Sequence, residues 1–262
     1  MIVMLANNIG SYNCRQDIYD PANKYINHVK VALYSLSKYS DLPVTLFLVD
    51  TPQRVGQDLK KLYGNLKIRH LSPSAQDEKV KHDWGGNPLR FVMMREKILA
   101  VKWALNDNNN KWVLFIDCDS IIRGSINGLV HQLCLPEVIK ASRIVLLHRP
   151  REVEEKHKIN SGVIGLTNTP ETRTLVCKWY EESLVSDKLS CEQEGLWQAY
   201  KKMKDKVKLV HLDPRYNCWD WNKDPVIYHC KGKYFDYLPF KALFFPLLWE
   251  AQKKIVGKFK YS

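Results

Sequence analysis

Apolar residues along the chain fall into short runs, and the runs alternate between two periods. IVMLA (Ile2–Ala6), VTLFLVD (Val44–Asp50) and LKIRHL (Leu66–Leu71) are brief, the first two apolar at almost every position. Such runs, rich in β-branched and aromatic residues, predict strands. Between them, Ile26, Val29, Leu33 and Leu36 recur near helical spacing within Tyr25–Tyr39, and Val55–Tyr63 reads as a second helix. Phe91, Met94, Ile98, Val101 and Leu105 share one helical face, which NDNNN (Asn106–Asn110) ends. WVLFIDCDSII (Trp112–Ile122) follows as a strand running into Asp-Cys-Asp. Further strands are predicted at Arg143–His148, Ser161–Thr167, Val207–Leu212 and Pro225–Cys230, and helices at Thr169–Leu184 and Glu192–Lys202. Strands and helices alternate through the first half, so the expected architecture is α/β: a mainly parallel central sheet flanked by helices. The polar, turn-rich stretch Ser72–Leu89 reads as a long loop. His82, Asp83, Trp84, Gly85 and Gly86 within it make either a flap or a plain surface loop.

The Asp-x-Asp at the end of that strand is the chemical anomaly. Burying a carboxylate is costly unless it is paired or binds a metal. Alternate residues of an extended strand point the same way, so Asp117 and Asp119 converge on one ion if the strand stays extended, with Cys118 facing elsewhere. Hard divalent cations such as Mg²⁺ and Mn²⁺ suit oxygen ligands and keep substrate phosphates in their shell. The plain alternative is that Asp119 opens a turn and Asp117 caps a neighbour. Ligands of such sheets bind beyond the carboxyl ends of the strands, where this pair falls.

Two enzyme classes carry such a strand end. Haloacid-dehalogenase-type phosphotransferases place it early and need a further acidic motif. Here more than a hundred residues precede it, and no Gly-Asp-x-x-x-Asp or Asp-Asp follows. The other class fits more of the chain. KILAVKWALNDNNNKWVLFIDCDSII, INSGVIGL (Ile159–Leu166), CEQEGLW (Cys191–Trp197) and VIYHCKGKY (Val226–Tyr234) resemble, in order and approximate spacing, the retaining glycosyltransferases of families 8, 34 and 77. The local likeness is strongest to family 34. It covers roughly Arg90 to Tyr234, with a looser match at the first strand that includes Ala6 and Asn7 as donor-binding positions.

That resemblance implies a single GT-A-like domain over residues 1–238 and a basic, aromatic C-terminal segment over 239–262. It implies that Asp117 and Asp119 hold Mn²⁺ or Mg²⁺ against the donor diphosphate, with Cys118 between them, and that His229 of a His-x-x-Gly pattern completes the metal shell. Lys97 would lie near the pyrophosphate or sugar. Asn160, Ser161 and Gly162 would wall the sugar pocket, and Glu192 and Gln193 match the acidic-Gln pair that faces the anomeric carbon. Gly232 and Lys233 would meet the phosphates. Two departures stand out: Tyr234 replaces the usual Lys five residues after the metal His, leaving Lys231 and Lys233 nearby, and Glu192 replaces the more usual Asp. The resemblance implies transfer of a hexose or pentose from a nucleotide-diphosphate donor, UDP-sugar favoured, to a glycan or glycolipid.

Each residue also has an ordinary structural role open to it. His229 suits a satisfied core histidine, Lys97 a solvated helix face, INSGV a turn entering a strand, and Glu192 and Gln193 a helix N-terminus, which favours acidic groups. Trp219 and Trp221 fit either sugar stacking or aromatic packing.

The 40 basic and 28 acidic residues give a net charge of +12, which attracts phosphates, nucleic acid or anionic lipid. A nucleic-acid-binding module is therefore a competing class, but no helix-turn-helix, RNP or zinc pattern is present. A sugar-nucleotidyltransferase would carry a basic Gly-rich loop after the first strand, which ANNIGSYN (Ala6–Asn13) lacks. Seven cysteines with no Cys-x-x-Cys pair argue against a zinc ribbon or a disulfide framework and favour a reducing compartment. The short first apolar run and the absence of a 20-residue apolar stretch predict a cytoplasmic protein. The terminal PFKALFFPLLWEAQKKIVGKFKYS interleaves aromatics with lysines. It suits either a peripheral contact with the cytosolic face of a membrane or a tail packed on the domain.

Overall fold

The computed structural model describes residues 1–7, 24–49, 51–71, 88–135, 137, 141–148, 159–185, 191–218, 223–229 and 238–256. Seven strands hydrogen-bond in the order β3-β2-β1-β4-β7-β6-β8, where β1 is Ile2–Asn7, β2 Val44–Val49, β3 Leu66–Leu71, β4 Trp112–Ile116, β6 Arg143–His148, β7 Ile159–Thr167 and β8 Lys208–His211. A separate ribbon pairs β5 (Ser120–Ile122) with β9 (Ile227–His229). The helices are α1 (Lys24–Leu36), α2 (Gln53–Lys60), α3 (Pro88–Asn106), α4 (Asn127–Cys134), α5 (Pro170–Val185), α6 (Cys191–Met203) and α7 (Leu238–Val256). The architecture is α/β, with a mainly parallel but mixed sheet flanked by helices.

Position in the sheet explains the composition of its strands. All six residues of β2 and all nine of β7 are buried, as expected of inner strands covered on both faces. The edge strands β3 and β8 carry Lys67, Arg69 and His70, and Lys208 and His211, which blunt their unpaired edges. β1 runs parallel to β4, β2 to β3, and β6 to β8. β7 is antiparallel to both β4 and β6, with a register shift at Leu146/Leu147.

The chain divides into two compact units. One holds residues 1–3, 72–116 and 127–213. There the α5/α6 pair packs closely: a Cβ added at Gly195 would lie 2.9 Å from the Ser183 backbone nitrogen. Trp179 of α5 is fully buried, and its indole N–H donates to the Glu192 carbonyl at 2.6 Å.

The other unit holds residues 4–71, 117–126 and 214–262. In it α1 and α7 pack together, and α1 packs on β5. Val31 of α1, Ile121 of β5, Tyr228 of β9, and Phe244 and Leu248 of α7 form one buried cluster. Within the C-terminal part of the chain, residues 238–256 thus form a 19-residue helix with one buried face. None of the helices among the described residues is long and apolar enough to cross a membrane.

Three elements differ from the sequence expectation. α4 sets Leu129 and Leu133 one turn apart, a helical spacing in only eight residues that the sequence expectation leaves unused, and β5 is three residues long, too short for a periodic signal. The main-sheet strand also stops at Ile116, and Asp117 to Asp119 form a turn into β5 instead of continuing extended. The turn is required because β5 leaves the main sheet to pair with β9.

Candidate functional site

The first cluster is built within the second unit by that turn. β5 pairs antiparallel with β9, with Ser120 opposite His229. This register sets Asp119, the residue before Ser120, beside the last residue of β9. His229 Nε2 lies 3.2 Å from Asp119 Oδ1 and 3.5 Å from Asp117 Oδ2. One ligand atom from each of the three residues falls within 4.8 Å of the others. The two carboxylates therefore converge as the Asp-x-Asp spacing suggested, through a turn and not through strand alternation. Cys118 between them is buried and is a free thiol.

The imidazole is held from its other side. His229 is buried, and its Nδ1 lies 2.9 Å from Oδ1 of Asn217, a buried residue of the 3₁₀ turn Pro214–Asn217. Burial alone would raise the Asp119 carboxyl, but the charge of His229, its hydrogen bond and the nearby His28 outweigh this and hold Asp119 below its ordinary range. Two carboxylates carry more negative charge than one imidazolium offsets, and a divalent cation taking the place of its Nε2 proton would neutralise them. The spacing fits one. Octahedral ligands about 2.1 Å from an ion stand about 3 Å apart when adjacent, close to the two contacts made by Nε2. Two oxygens and one imidazole nitrogen suit Mn²⁺, with Mg²⁺ as the all-oxygen competitor.

A second cluster lies in the other unit. Lys97 of α3, Ser161 of β7 and Glu192 of α6 are all buried. Ser161 Oγ donates to Glu192 Oε1 at 2.8 Å, and Lys97 Nζ donates to Ser161 Oγ at 3.3 Å. Lys97 Nζ stands 3.7 Å from Glu192 Oε1 and 4.8 Å from the centre of the Phe115 ring. Lys97 is therefore not a solvated helix-face charge. Glu192 opens α6 yet turns its carboxylate into this cluster, and its Oε2 is buried without a hydrogen-bond partner.

Asn160 is buried in β7, and its Oδ1 accepts from the Gly162 backbone N–H at 2.9 Å, so this pair shapes the strand. Gln193 is half-buried in the first turn of α6. Ala6 is buried in β1, and Asn7 ends that strand. Gly232, Lys233, Lys231, Tyr234, Trp219, Trp221, the Asn7 side chain and His82 to Gly86 lie outside the described residues. The sequence reading passed over Asn217 and His28. Neither sits at a diagnostic spacing, because each reaches the site from a separate element.

No protein-family model matches the sequence, and no curated protein matches it. Solved structures do match. The galactosyltransferase LgtC, determined with donor and acceptor sugar analogs, superposes with a TM-score of 0.63 at 13% identity, covering 95% of each chain. The glycosyltransferase GlyE of Streptococcus pneumoniae TIGR4 gives 0.59 at 15% identity over 97% of this chain. Mouse xyloside xylosyltransferase 1 gives 0.54 at 14% identity, over 88% of this chain and 97% of its own. The chain spans 62% of the length of GlyE. The expected GT-A-like fold is therefore the fold the chain has. The resemblance to retaining glycosyltransferases read from four short motifs extends, as a likeness of fold, over nearly the whole chain.

Proposed function

We propose that this protein is a divalent-metal-dependent glycosyltransferase. It moves a hexose or pentose from a nucleoside-diphosphate sugar, with a UDP-sugar as the favoured donor, to a glycan or glycolipid acceptor with retention of configuration. The convergence of Asp117, Asp119 and His229 in a chain of this fold carries the reading. These three residues would hold Mn²⁺ or Mg²⁺. When bound, the cation offsets the negative charge that grows on the departing diphosphate.

The chain's own groups do the rest. Asp119 is kept ionised by His229 and His28, so the carboxylate is ready as a ligand, and His229 would release its Nε2 proton when it joins the shell. Lys97, Glu192 and Gln193 are proposed for the sugar and the anomeric centre, and Asn160, Ser161 and Gly162 for the donor wall, on the motif resemblance. Ser161 bridges Lys97 to Glu192, which fixes the carboxylate before any ligand arrives. Ala6, Asn7, Cys118, Gly232 and Lys233 are proposed as donor contacts on the same ground. The segment from α7 onward is proposed to meet the cytosolic face of a membrane, as an enzyme acting on a glycolipid would require.

A thermal-shift panel of nucleotide sugars with and without Mn²⁺ tests the proposal. A donor present at a hundred times its dissociation constant adds about 2.7 kcal/mol, a rise of roughly 5–10 °C for a chain of this size. One sugar nucleotide should give that shift only with the metal, Asp119→Ala should abolish both the shift and sugar transfer, and the product should keep the donor's anomeric configuration. Metal-independent stabilisation, or stabilisation by oligonucleotide and by no sugar nucleotide, would sink the reading.

A further inference from the structure

We infer that Asn217 is a positioning residue that sets the tautomer of His229 and so makes its Nε2 a metal ligand. The inference rests on the metal reading of Asp117, Asp119 and His229.

An amide oxygen accepts hydrogen bonds and does not donate them. With Asn217 Oδ1 at 2.9 Å from Nδ1 of His229, a proton on Nδ1 has its own acceptor, so the imidazole can keep that proton and give up the one on Nε2 to a cation. Its lone pair then sits on Nε2, the atom that faces Asp119 Oδ1 at 3.2 Å and Asp117 Oδ2 at 3.5 Å. The opposite tautomer would aim an N–H at the carboxylates and leave no nitrogen donor for a cation. Partners on the far nitrogen of a ligating histidine fix its ring and tautomer in this way.

The backbone shows that the contact is built in. The turn carrying Asn217 is stitched to β9 and to the residue just before it, up to the histidine itself. Val226 N–H donates to Arg215 O at 2.8 Å, Cys218 N–H to Ile227 O at 3.1 Å, and His229 N–H to Cys218 O at 2.8 Å. Cys218 and Tyr228 form a parallel bridge. Asn217 and His229 are 3% and 6% exposed, so water does not readily replace the amide if it is removed. The contact thus gives the buried imidazole one orientation before any ion arrives and an acceptor for its Nδ1–H once Nε2 meets the ion.

The test uses the full chain and Mn²⁺ itself. Long-range ¹H–¹⁵N spectra of the wild type loaded with diamagnetic Mg²⁺ should show His229 in the Nδ1–H form. Asn217→Ala should mix or reverse the tautomers and weaken Mn²⁺ binding, measured by electron paramagnetic resonance of the free ion, by about 10- to 100-fold. Asn217→Asp restores an acceptor of the same shape and should bring Mn²⁺ affinity back to within a few-fold of wild type. An Nε2–H tautomer in the wild type overturns the inference whether or not the variants fold. So does a folded Asn217→Ala that binds Mn²⁺ as tightly as wild type, while the metal reading survives. A wild type that binds no Mn²⁺ overturns both.

Discussion

At the scale of single residues, the buried trio Lys97, Ser161 and Glu192 is the most demanding arrangement in the chain. A buried charge that loses its partner costs about 3–5 kcal/mol, whereas a pair replaced by neutral groups of similar volume costs little. Lys97→Met should therefore destabilise the protein by about 3 kcal/mol. Glu192→Gln in that background should recover much of the loss. Urea unfolding of the two single variants and the double variant measures the coupling, and strict additivity would mean the 3.7 Å pair contributes nothing. The three residues were each legible in the sequence as members of separate motifs. Their meeting was not, because α3, β7 and α6 bring them together across separations of 31 to 95 residues. Asn217 shows the opposite limit. Its role comes from one contact between a 3₁₀ turn and a strand end, which leaves no periodic or motif trace.

Among the elements, those with long apolar runs were readable and those with short ones were not. β2 and β7 announce themselves because both faces are covered, so every position is apolar or small. The β5/β9 ribbon offers three residues per strand, below any periodicity, yet it is the element that brings the proposed metal ligands together. α7 was legible as aromatic and basic, but which of its aromatics face inward depends on α1 and the ribbon. Phe244 is fully buried against that cluster, with its ring 5.0 Å from that of His28, while Trp249 five residues on is half-exposed. Phe244→Ala should cost about 3–5 kcal/mol and Trp249→Ala within about 0.5 kcal/mol. Because Ile121 and Tyr228 of the ribbon share a buried cluster with Phe244, Phe244→Ala should also weaken Mn²⁺ binding where Trp249→Ala does not. Denaturant midpoints and Mn²⁺ titration of the two variants check both halves, and equal effects from the two would show that α7 does not support the ribbon.

For the whole molecule, the decisive quantity is the +12 charge, since it fits a membrane surface and a nucleic acid alike. Charge alone cannot separate them, because both bind a basic protein and both release it as salt rises. The exposed side of α7 supplies the distinction. Ala242, Pro246, Trp249, Lys253 and Val256 recur at three- and four-residue intervals and are all exposed. Lys253 Nζ lies 5.3 Å from the centre of the Trp249 ring. Lys253 also donates to Glu250 Oε1 at 3.0 Å on the same exposed side, while Lys254 and Lys61 donate to Leu62 O and Ile255 O. A tryptophan beside a lysine on such a stripe suits the boundary between headgroups and acyl chains. Interfacial insertion depends on that indole, whereas attraction by charge does not. Sedimentation with vesicles should therefore show binding to phosphatidylglycerol-containing but not to pure phosphatidylcholine membranes. The binding should fall as salt is raised from 0.05 to 0.5 M, settings chosen to span about 14 to 4 Å of screening length, and Trp249→Ala should reduce it about three- to tenfold at low salt. Lys253→Glu should weaken it further by the loss and reversal of a surface charge worth about 1 kcal/mol. If Trp249→Ala binds anionic vesicles as well as wild type does, the attraction is electrostatic alone and the proposed seat of α7 in a membrane surface is wrong.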